Sequence, residues 1–128
     1  METIINIFKH ICHFIGPNGG GFIFALVFGF MVLDFATGIV KAFSSGYYSS
    51  TKMREGLFHK CGLVLCVALG VLVDAGQSYL GLGLQVPATA AICTYICLME
   101  VGSITENICQ INPELKPEKL KAIFGKRE

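Results

Sequence analysis

The chain has 128 residues, of which 53% are hydrophobic and only 15% charged, and its ten cations and nine acids leave a net charge of +1. A soluble domain usually carries about 25% charged residues, and a domain of this size buries only about two-thirds of its surface. So few charges do not cover the rest, which argues against a soluble monomer or a disordered tail. A net charge of +1 also leaves no basic patch of the kind that binds nucleic acid.

Residues 3–15 place Ile4, Phe8, Ile11 and Ile15 at helical spacing, with Asn6, Lys9, His10 and His13 on the other side. This predicts an amphipathic helix lying in a membrane interface, within an N-terminal segment over residues 1–20. His10, Cys12 and His13 cluster there, but no fourth metal ligand is evident, and they read as the polar edge of that helix. No signal-peptide pattern is present. Gly16, Pro17 and Asn18, followed by Gly19–Gly21, break the helix, and no Lys-Ser/Thr follows to make a phosphate loop.

No Lys or Arg occurs between Lys9 and Lys41, and none between Lys60 and Lys116. A spanning helix needs roughly 20 mainly apolar residues. The first gap predicts one span, residues 22–43, and the second predicts two, residues 61–84 and 87–104. The fold class expected is therefore an all-α membrane protein, a single membrane domain with three transmembrane helices after an interfacial one. Residues 44–60 read as a polar loop and residues 105–128 as a polar tail, in which Leu115, Leu120, Ile123 and Phe124 oppose Lys116, Lys119 and Lys121, a pattern that suits either contact with the membrane surface or disorder. Lys41, Lys52, Arg54 and Lys60 belong to the loop and five cations to the tail, whereas the turn between the second and third spans has no charge. The positive-inside rule then places loop and tail in the cytoplasm and the N-terminus outside.

Six cysteines suggest no disulfide framework, because Cys61, Cys66, Cys93 and Cys97 sit in apolar stretches and no CxxC pair exists. Asp34 and Asp74 fall near the centres of their predicted spans, and Glu100 falls nearer an end. A charge at the bilayer centre costs at least ~2.5–3.5 kcal/mol. Such acids point either to a polar face for association or a water path, or to hydrogen bonds that only aid packing. Gly62, Cys66, Gly70, Asp74 and Ser78 recur every four residues, and Asp34, Gly38 and Ala42 repeat that spacing. Narrow faces of small residues let helices approach closely, within one chain or between copies. No histidine stands beside a plausible nucleophile and acid, so no enzyme, catalytic residue, metal or cofactor is expected.

The segment Leu33-Asp34-Phe35-Ala36-Thr37-Gly38-Ile39-Val40-Lys41-Ala42-Phe43 is followed by Ser49-Ser50, Gly56 and Lys60, and then by Glu100-Val101-Gly102-Ser103-Ile104-Thr105-Glu106-Asn107. In this order the three blocks resemble the phage lysis holins of the toxin-secretion/phage-lysis family. The motif residues are Asp34, Thr37, Gly38, Gly56, Lys60, Glu100, Ser103, Glu106 and Asn107. The resemblance implies a non-enzymatic protein of the bacterial cytoplasmic membrane that homo-oligomerises in the lipid bilayer and opens lesions for an endolysin or a toxin, leading to host cell lysis. Two rivals stand beside it: a small ion- or proton-coupled transporter, and an antiholin or assembly subunit.

Overall fold

The computed structural model describes residues 1–15, 20–83 and 86–118, and of residues 11–15 only the backbone. In chain order the elements are α1 (Glu2–Ile15), α2 (Phe22–Ser44), α3 (Ser50–Leu80) and α4 (Ala88–Ile111), closed by a 3-10 turn at Pro113–Leu115. The tail residues Lys119, Leu120, Lys121, Ile123 and Phe124 lie outside the described residues.

Three of these helices are long and apolar enough to cross a membrane, with 23, 31 and 24 residues. Residues 22–33 offer no polar side chain, so α2 is apolar on every side at its start. Helix α3 begins eleven residues before the span expected from the charge pattern, at Ser50 instead of Cys61. Ser49 causes this: its side chain accepts the Lys52 backbone N–H at 3.4 Å and satisfies one of the open donors of the first turn. The stretch expected as a loop is thus mostly helix, and the connection shrinks to residues 45–49. Gly81 ends α3 with φ +58°, the left-handed conformation that glycine adopts without a Cβ penalty. Helix α4 runs seven residues past the expected span and carries Glu106 and Asn107 with it.

Helix α4 packs against both α2 and α3, whereas α2 and α3 touch each other only sparsely. The core joins Val27 and Met31 of α2, Leu63 of α3, and Cys93 and Ile96 of α4. Outside it, large apolar side chains face away from the bundle: Phe28 and Leu98 are each 68% exposed and Leu65 is 70% exposed. An apolar exterior around three long helices is the surface of a chain solvated by lipid tails. On α1, Ile4, Ile7 and Phe8 are also exposed, as is His10. The side chains of Cys12 and His13 are outside the described residues.

Candidate functional site

The polar residues of the three spanning helices meet. Heptad-like spacing accounts for this: Asp34 continues the inward stripe of Val27 and Met31 on α2, and Lys60 continues that of Leu63 and Gly70 on α3. On α4, Glu100 and Asn107 share a face with Cys93, Ile96 and Ile104, and all five are buried.

Lys60 lies at the centre. Its ammonium donates to Asp34 Oδ2 at 2.9 Å and to Glu100 Oε2 at 2.6 Å. The three side chains are 13%, 17% and 4% exposed, so this ion triad is largely removed from water. Two turns further along α4, Asn107 Nδ2 donates to Asp34 Oδ1 at 3.2 Å and to Thr37 Oγ1 at 3.3 Å. Its Oδ1 accepts from Lys41 Nζ at 2.6 Å, and Thr37 Oγ1 donates to the Asp34 carbonyl at 3.0 Å. Two cations balance two acids, and among the described residues no buried side-chain oxygen or nitrogen lacks a partner. Full satisfaction is what makes a polar cluster tolerable in so apolar a setting.

Glu100 therefore does not reach for the interface, as its position near the end of the expected span suggested. With α4 extended to Ile111, it stands mid-helix and only 3% exposed. Gly38 lies below Asn107, whose Nδ2 would be 3.8 Å from an added Cβ. Ser103 and Gly56 border the same region. Glu106 points away and accepts from Gln110 Nε2 at 3.0 Å.

Asp74 belongs to a separate arrangement. It lies six residues from the end of α3, not mid-span, because α3 starts at Ser50 and ends at Leu80, earlier at both ends than expected. Its Oδ1 accepts the Ala88 N–H at 2.8 Å and its Oδ2 the Thr89 N–H at 2.9 Å. Pro87 provides no side-chain cap for α4, so the carboxylate of a neighbouring helix takes that role, with its charge at the favourable end of the helix dipole. Gln77 adds a bond from its Nε2 to the Val86 carbonyl at 3.0 Å. Gly70 sits one turn away, where an added Cβ would lie 3.0 Å from Thr89 Cα and 3.0 Å from Ile92 Cδ1. Along the same four-residue series Gly62, Cys66 and Ser78 are exposed.

Lys41 and Gln77 are the partners that the motifs did not single out. Spacing was the available signal for the placement of Lys60: Met53, Gly56, Lys60, Leu63, Val67, Gly70 and Asp74 alternate by three and four, and this series crosses the expected loop boundary without interruption. Beside the cluster a cavity of about 750 Å³ opens between α2 and α3, with α4 along its inner side.

Three spanning helices joined by an internal ion triad define a multi-pass helical membrane protein. The chain belongs to the bacteriophage holin family, whose model matches residues 10–127. No curated protein and no solved structure matches it.

Proposed function

We propose that the protein homo-oligomerises in the bacterial cytoplasmic membrane and opens lesions that release an endolysin or a toxin. The observation that carries this reading is the ion cluster of Lys60, Asp34 and Glu100 inside a chain of the holin family. In a single copy these charges satisfy one another and the exterior is apolar, so an isolated bundle is at home in lipid. Copies meet through the exposed small side chains of α3, chiefly Gly62, around which an added Cβ would find open space, and Cys66. As copies accumulate, the helices separate and the polar side chains turn to the wall of a water-filled opening. Water then takes over the solvation that each carboxylate received from Lys60. The positive-inside pattern of Lys41, Lys52, Arg54 and Lys60 supports a cytoplasmic α2–α3 connection and an external N-terminus.

Induced expression in a bacterium, with and without a co-expressed endolysin, tests this reading. The expected outcome is collapse of the membrane potential in both cultures and a fall in turbidity only with the endolysin. Solute flux without endolysin release would assign the protein to transport. Absence of any effect on its own would assign it to an antiholin role.

A further inference from the structure

We propose that the seam between α2 and α3 is a binding site for an anionic phospholipid, with the headgroup phosphate held by Lys41 and Lys52. The proposal rests on the membrane placement of the chain and is independent of lesion formation.

The seam has two chemically distinct parts. Its wide part, the cavity of about 750 Å³, is bordered by Lys41, Tyr48 and Lys52 and, on its inner side, by Asp34, Glu100 and Asn107 of the polar cluster. A volume of this order suits a compact organic ligand, since such sites run from roughly 300 to 1,000 Å³. The charge balance favours an anion. Asp34 and Glu100 are both committed to Lys60, and among the described residues neither Lys41 nor Lys52 has a carboxylate partner. Lys41 donates only to the neutral Asn107. Tyr48 stacks on Phe43 with ring centroids 5.3 Å apart, and Tyr47 beside it is 85% exposed. Tyrosines in such positions mark the headgroup level of a bilayer.

Beyond the Lys60–Asp34 bridge the seam continues as an apolar recess of about 150 Å³ lined by Phe24, Val27, Phe28, Met31, Val64 and Val67. Spacing keeps both parts on one face: Phe28, Met31, Phe35, Gly38 and Ala42 alternate by three and four along α2, and Met53, Gly56, Lys60, Val64 and Val67 follow at steps of three or four along α3. From Ala42 to Met31 the helix rises ~16 Å, so the recess begins about one leaflet's depth below the mouth. A cationic mouth at the tyrosine level, flanked by the exposed apolar side chains of Val40, Leu57 and Phe58, fits a lipid better than a free anion. Basic pockets between spanning helices recognise acidic headgroups in the same way.

The test uses the full chain in detergent, equilibrated with equal amounts of phosphatidylglycerol and phosphatidylcholine, with retained lipid read by native mass spectrometry. Wild-type protein is expected to retain phosphatidylglycerol preferentially, and inorganic phosphate is expected not to displace it. Each lysine is worth about fivefold in that preference, so Lys52→Gln reduces it by that factor and Lys41→Gln combined with Lys52→Gln by about 25-fold. Lys52 is exposed in the first turns of α3, so its replacement leaves the helix packing intact. A second variant, Gly56→Leu, fills the open space beside Gly56 without touching a charge and is expected to lower phosphatidylglycerol retention. Lys116→Gln, outside the seam, is expected to behave as wild type. Equal retention of the two lipids, undiminished preference in Lys52→Gln, or displacement by inorganic phosphate would each overturn the proposal.

Discussion

Lys60 is one ammonium shared by two carboxylates, and its value to the fold depends on what is left behind when it is removed. Two acids would then face each other in a site with little water, where losing one partner of a buried ion pair costs about 3–5 kcal/mol. Lys60→Met is therefore expected to destabilise the bundle by about that amount, read as a shift in the unfolding midpoint in mixed micelles. Replacing all three charges together (Lys60→Met, Asp34→Leu and Glu100→Leu) is expected to restore part of the loss, since the desolvated triad is gone while Asn107 and Lys41 lose Asp34 as a neighbour. If the triple variant were as unstable as Lys60→Met, the triad would be contributing directly to stability. Asp74 shows that an intramembrane acid need not belong to such a cluster. Its two oxygens take two backbone N–H groups at the start of α4, a structural task that no count of charges distinguishes from a functional one. The three acids were legible as exceptions in apolar sequence, and Lys60 and Asn107 as motif residues; that they pair was not, because a hydrogen bond across 40 or 73 residues leaves no local trace.

Among the helices, the series Gly62–Cys66–Gly70–Asp74–Ser78 divides into two uses. Gly70 touches the backbone of α4, so Gly70→Leu collides with Thr89 and is expected to cost at least the ~1–3 kcal/mol of an overpacked contact within the single chain. Gly62 has open space, so Gly62→Leu is expected to leave the unfolding midpoint unchanged while weakening oligomers, measured by chemical cross-linking in membranes. An unaltered cross-linking pattern in Gly62→Leu would remove this face from the association surface. The existence and order of the helices were legible because lipid solvation demands long apolar runs, and α2 matches its expected span to within one residue at its C-terminal end. The start of α3 was hidden by a charge rule: polar residues at 50–60 read as loop, although their period already followed the buried face. Ser49 as a cap, and not hydropathy, sets that boundary.

For the molecule as a whole, direction in the membrane is the property that the arrangement of cations argues most strongly. Single-cysteine variants of an otherwise cysteine-free chain check it, with Tyr47→Cys at the α2–α3 connection and Leu82→Cys at the opposite end, both exposed positions. An impermeant maleimide added to intact spheroplasts is expected to label position 82 and to spare position 47; the reverse pattern would invert the topology. The placement of α4 between its two neighbours has a different consequence, for biogenesis. Helices α2 and α3 leave the ribosome before α4, yet they share little surface, and among the described residues only the Lys60–Asp34 bridge joins their charged groups. The span translated last supplies Glu100, Asn107 and the packing face that both earlier spans require. A nascent chain halted before α4 is thus an unfinished membrane protein with unsatisfied charges in lipid. The fold of each copy is therefore complete only when α4 has joined the two earlier spans.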